Sequence, residues 1–93
     1  MKFGWTEAKR DKTLAERGID FAAVTLGFLD PGRMIVRDAR KDYGEERFNM
    51  LAKCGARVFH VTFTMRGTLT WIISARKANE RERKRYENRE KRP

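Results

Sequence analysis

The apolar positions along this chain change period near residue 33. Before it they recur at helical spacing, and after it they alternate. Phe3 and Trp5 alternate with Lys2 and Gly4, which predicts a short first strand over residues 2–5. Thr6 then supplies an N-cap, Glu7 an acidic first turn and Gly18 a C-terminal stop, so a helix is expected between them. Ala8, Lys12 and Leu14 or Ala15 give it only a narrow apolar stripe, which places it on the surface. Asp20 caps a second helix, with Phe21, Val24 and Phe28 on one side, and Asp30-Pro31-Gly32 ends it.

From Arg33 to Asp38 the alternation predicts a strand, and Ala39 to Glu46 a charged loop. Three more strands are expected over Arg47–Cys54, Arg57–Arg66 and Thr68–Arg76. A Gly55-Ala56 turn pairs Met50 with Val61 and Phe48 with Phe63. A three-residue turn around Gly67 would pair Phe63 with Trp71 and Val61 with Ile73. These registers gather Phe48, Met50, Phe59, Val61, Phe63, Trp71, Ile73 and Ala75 on one buried face of a meander. The other face collects Arg47, Asn49, His60, Thr62, Thr64, Thr70, Ser74 and Arg76, interrupted by Leu51, Val58 and Ile72. Two readings of it stand: the solvated side of an antiparallel sheet, or a phosphate-binding surface with arginines around a hydroxyl-rich centre. Asn79 caps a last helix through Glu87, where Glu80–Lys84 and Glu82–Tyr86 suit a solvated helix. The pattern therefore describes one α+β domain over 1–87, with a frayed basic tail expected over 88–93.

Composition narrows the partners. Twenty-two Lys and Arg against 13 Asp and Glu give +9 and a pI near 10.3, which favours nucleic acid or an acidic protein. Nine of the basic groups and four of the acidic ones fall between residues 76 and 93. At 93 residues the chain builds a single small core. Cys54 is the one cysteine, so neither an internal disulfide nor a thiolate zinc site is available, and it reads as apolar filling. No apolar run approaches a membrane span and no signal-peptide core is evident, so a soluble, cytoplasmic protein is expected, with no membrane association.

Generic catalytic motifs are missing: no phosphate loop, no HExxH, no paired cysteines. His60, the one histidine, is a general acid–base or a structural strand residue, and Trp5 is a core aromatic or a platform for a base. RNA cleavage asks little of a protein. The 2′-hydroxyl attacks the adjacent phosphorus, so the protein orients the strand, neutralises the phosphorane and moves two protons. Arginine suits the second task through its planar fork, but at its normal pKa it is a poor base. Glu45, Glu46 and Lys77 are the candidate bases, with a structural ion pair the alternative for Glu46 and Arg47.

The opening Lys2-Phe3-Gly4-Trp5, the stretch Tyr43-Gly44-Glu45-Glu46-Arg47-Phe48 and the stretch Ile73-Ser74-Ala75-Arg76-Lys77-Ala78 resemble the BrnT family of toxins at that order and spacing. Lys9, Gly18, Phe21, Asp30-Pro31, Thr64, Arg66-Gly67, Glu80, Arg83 and Tyr86 extend the resemblance over residues 1 to 87. It implies a RelE-like fold: an antiparallel β-meander with two N-terminal helices packed on one face and a C-terminal helix. It also implies a metal-independent, cofactor-free endoribonuclease that arrests growth. The implied partners are RNA and a ribbon-helix-helix antitoxin in a 2:2 heterotetramer, with operator DNA bound only through the antitoxin. Carried onto this chain, the resemblance makes Arg47, Arg66, Arg76, Lys77 and Glu46 the candidate catalytic residues, and Trp5, Lys9, Thr64, Thr70 and Arg83 the candidate RNA contacts. Two positions depart from the family. Thr13 stands where it has Asn, and Glu16-Arg17-Gly18 where it has Lys-His-Gly. Without that histidine, a mechanism built on Arg and Lys is favoured. A non-catalytic RNA- or ribosome-binding module, or a protein that only holds an acidic antitoxin, are the other readings of the same charge.

Overall fold

The computed structural model describes residues 1–40 and 42–89. Five strands form one sheet in the order β1-β5-β4-β3-β2: β1 Lys2–Gly4, β2 Met34–Asp38, β3 Arg47–Cys54, β4 Arg57–Arg66 and β5 Leu69–Lys77. The last four are an antiparallel meander, whereas β1 joins β5 in parallel, so the sheet is mixed rather than wholly antiparallel. Three α-helices complete the α+β domain: α1 Glu7–Arg17, α2 Phe21–Val24, which runs on as a 3₁₀ turn over Thr25–Leu29, and α3 Glu80–Arg89. None of these helices is long and apolar enough to cross a membrane.

Local chemistry accounts for the helix ends. The Thr6 hydroxyl accepts from Lys9 N–H, Gly18 closes α1 in the left-handed conformation, and Asp20 accepts from Ala22 N–H. At α3 a reciprocal pair forms. Asn79 Oδ1 accepts from Glu82 N–H at 2.8 Å, and Glu82 Oε1 accepts from Asn79 N–H at 2.9 Å. The helix continues to Arg89, past the end at Glu87 expected from the pattern. Of the expected basic tail, residues 90–93 lie outside the described residues.

Phe21, Val24 and Phe28 meet Met50, Ala52, Val61, Phe63, Ile72 and Ala75 in one core, with Phe3, Trp5, Phe48 and Phe59 at its margin. Each large apolar side chain so buried stabilises the fold by about 1.5–3 kcal/mol. Helix α1 takes little part, Thr13 being its buried residue. It covers β5 where β1 has stopped pairing, and Arg17 donates to the Ala75 carbonyl at 2.8 Å.

The β3–β4 register is the expected one. The β4–β5 register is not. Arg66 pairs with Leu69 across a two-residue Gly67-Thr68 turn, and Gly67 takes the positive φ of 60° that this turn demands. Phe63 then pairs with Ile72, and Val61 with Ala75, not with Trp71 and Ile73 as expected. A bulge opposite Thr62/Phe63 leaves Ile73 as the extra residue and reverses the parity of β5. Ile72 and Ala75 can therefore both face the core, at 1% and 0% exposure. Thr70 turns toward the core side, and Trp71 away from it.

Helix α3 packs on β3 across the opposite face, where Leu51 is buried outside the main core. Its Tyr86 hydroxyl donates to Asp30 Oδ2 at 2.5 Å, and Asp30 also accepts from the amides of Gly32 and Lys53. Burial and that bond push the phenol up to about 12. Arg89 lies over the Tyr86 ring and donates to the Gly32 carbonyl.

Candidate active site

The loop before β3 is fixed by a buried carboxylate. Asp38 accepts two bonds from the Arg40 guanidinium, at 2.9 and 2.8 Å, one from the Arg40 amide at 3.2 Å, and one from the Tyr43 hydroxyl at 3.4 Å. The Arg40 guanidinium holds that carboxyl well below the usual range. Tyr43 is thereby presented to β3, where the Arg47 guanidinium stacks on its ring at 4.1 Å. On the neighbouring hairpin, Arg66 stacks on Trp71 at 4.7 Å. The indole lies so close over Gly4 that a Cβ there would meet Trp71 Cε3 at 2.6 Å, so only glycine fits beneath it. Glu45 stands between the two guanidiniums, 3.7 Å from Arg47 and 3.4 Å from Arg66. Thr64, cross-strand partner of Trp71, is buried and donates to the Glu46 carbonyl at 2.5 Å, which ties the loop to the sheet.

Arg47 is the least satisfied group here: its Nε is buried and has no hydrogen-bond partner among the described residues. An unpaired buried donor costs about 1–3 kcal/mol, and an incoming oxygen would recover that. Lys9 feels the same cluster. Partial desolvation first, then the positive charges of Arg47, Lys12 and Arg17, lower its ammonium below the ordinary value.

Arg76 belongs to a second cluster. It sits opposite His60, four residues along β4 from Thr64 or about 13 Å away. Its guanidinium meets both carboxylate oxygens of Glu82, at 2.7 and 2.9 Å, the same Glu82 that completes the α3 cap. The Arg76 bonds draw the Glu82 carboxyl down to about 2. His60 lies 4.0 Å from Glu82, and burial, then the Arg76 charge, lowers its imidazole.

The sequence-predicted residues thus divide. Arg47, Arg66 and Thr64 converge at one end of the sheet, with Lys9 within electrostatic reach. Glu46 contributes its carbonyl, while its exposed side chain lies 3.6 Å from Arg37, so Glu45 is the carboxylate between the arginines. Arg76 is engaged by Glu82, and Lys77 and Arg83 line a separate cleft beside α3. Thr70 is 3% exposed on the core side, its hydroxyl 3.6 Å from Met65 Sδ, and does not join the others. Trp5 packs edge-on against Phe21, with Arg10 over its ring. Tyr43 and Trp71 were not among the predicted site residues. Tyr43 lies one helical turn's spacing from Arg47 in a loop with no period to betray it, and Trp71 is hidden by the bulge.

A face with two stacked, loosely bridged guanidiniums, a carboxylate between them and an acidified lysine nearby has the parts for binding a phosphodiester and moving protons around it. No curated protein matches the chain. A family model described as "Ribonuclease toxin, BrnT, of type II toxin-antitoxin system" matches residues 5–82. The chain belongs to that family: it is the ribonuclease toxin of a type II toxin–antitoxin pair, with RNA as its substrate and an antitoxin as its partner.

Proposed function

We propose that this toxin is a RelE-like, metal-independent endoribonuclease whose scissile phosphate sits between Arg47 and Arg66. The observation that carries this reading is the pair of guanidiniums stacked on Tyr43 and Trp71, with Glu45 between them and Arg47 Nε unsatisfied among the described residues. Two fixed cations offset the negative charge that develops on the phosphorane, so the step needs no metal to neutralise it. Glu45 accepts the 2′-hydroxyl proton as the 2′-oxygen bonds to phosphorus. Lys9, its pKa lowered toward the working pH, donates a proton to the 5′-oxygen as the P–O5′ bond breaks. The products are a 2′,3′-cyclic phosphate and a 5′-hydroxyl. Thr64 positions the loop through the Glu46 carbonyl.

The toxin acts in the cytosol, where a ribbon-helix-helix antitoxin holds it in a 2:2 assembly that reaches operator DNA through the antitoxin. The test is incubation of antitoxin-free protein with RNA in EDTA, followed by end-group analysis. Cleavage that persists and leaves a cyclic phosphate and a 5′-hydroxyl is the expected result. Products with a 5′-phosphate, or strict magnesium dependence, would exclude this chemistry.

A further inference from the structure

A second concentration of positive charge lies at the other end of the sheet. The β3–β4 turn, the end of β5 and α3 enclose a cleft of about 360 Å³ whose lining includes Lys53, Arg57, Lys77 and Arg83. Glu87 is the one carboxylate in that lining among the described residues. Among the described residues, none of the four cationic side chains has a hydrogen bond or an ion pair, unlike Arg76 next door with its two bonds to Glu82. Four unpaired cations around one concavity repel one another, and an anion between them relieves that repulsion.

We propose that this cleft is a second phosphate site, which grips the RNA backbone several nucleotides from the cut. The proposal rests on the reading of Arg47 and Arg66 as the place of cleavage. Lys53 and Val58 share the sheet face of Arg47 and Arg66, and helix α3 crosses that face between the two ends, with Glu82 on Arg76 and Leu51 buried. From Val58 to Thr64 along β4 is six residues, or about 20 Å, so one strand of several nucleotides that passes over α3, where Arg81, Lys84 and Arg85 are exposed, meets both ends. The cleft reads backbone rather than base. Its one aromatic, Tyr86, is buried, with Arg89 over its ring and its hydroxyl on Asp30, so it offers no open face for stacking. The same lack of an open apolar or aromatic anchor argues against an acidic protein segment as the occupant, because such segments dock through buried anchors.

Lys53→Gln/Arg57→Gln tests this, since both side chains are exposed beside the turn and outside the core. Binding of 2′-O-methyl RNA is measured across a salt series with two oligonucleotides, one covering only the Arg47–Arg66 end and one spanning the face. For the long RNA, the slope of log affinity against log salt should become shallower by about 1.4, at about 0.7 per lost contact. The short RNA should be unaffected, because the cleft lies beyond about one Debye length. On long cleavable RNA, KM should rise with kcat unchanged. An unchanged slope on the long RNA, equal losses on both lengths, or a loss seen only with the antitoxin would each overturn the proposal. Failure of the wild-type protein to cut RNA would overturn the active-site reading instead, and a length-dependent slope change would still establish the cleft.

Discussion

Two arginine clusters occupy opposite ends of one sheet face, and they are built differently. Arg76 meets Glu82 head-on, with two short bonds to a carboxylate that is 14% exposed and already serves as a helix cap. Arg47 and Arg66 lie on aromatic rings and share Glu45 at 3.4–3.7 Å, a distance at which charges attract without a well-formed hydrogen bond. The first guanidinium has spent its fork on the fold, and the second pair keeps donors for a ligand. An arginine's role is therefore read from what its fork already holds, not from its place in a motif.

The sharpest way to break the contrast is truncation at both ends. Arg47→Ala should lower the single-turnover cleavage rate by 10²–10³, about 3–4 kcal/mol of transition-state stabilisation, with the melting temperature nearly unchanged. Arg66→Ala should behave alike. A large drop in melting temperature with normal cleavage would make either residue structural.

Arg76→Ala should do the reverse. It leaves Glu82 without its cation and loosens α3 from the sheet, so stability should fall by about 2–3 kcal/mol, with cleavage per folded molecule reduced far less. This differs from what the strand-end position alone suggests, which is a large catalytic loss with little cost in packing. Denaturant melts combined with rates normalised to the folded fraction decide between them.

The smallest effect is in the pH dependence. Glu82 titrates at about 2 in the fold against 4.5 as its ordinary value, so its contribution is complete above about pH 4.5 and is lost as pH falls toward 2. The shift corresponds to about 3 kcal/mol, discounted to about 2 because Arg76 is 40% exposed. Glu82→Gln keeps an oxygen for the Asn79 amide but removes the charge, so it should flatten the acid limb of the stability curve between those pH values. An acid limb identical to the wild type would assign the acid sensitivity to other carboxylates.

Strand and helix positions were legible because their signals are local. The caps at Thr6, Asp20 and Asn79, the stop at Gly18 and the Gly55-Ala56 turn each act within a few residues. They placed β3 and β4 at their observed ends. Arg47 and Arg66 were legible as candidates because chemistry and family resemblance both single them out. What tertiary structure decided is which face each β5 side chain occupies and which carboxylate each arginine meets. The bulge at Ile73 depends on packing Ile72 and Ala75 against the same core, a condition no local pattern states. It moved Thr70 inward and brought Trp71 out beneath Arg66. In the same way, alternation put Arg76 on a polar face, but only the docking of α3, through Tyr86 on Asp30, brings Glu82 to it. Hydrophobic period and capping are set by neighbours in the chain. Ion-pair choice is set by neighbours in space, and those exist only once the sheet has folded and its last helix has docked.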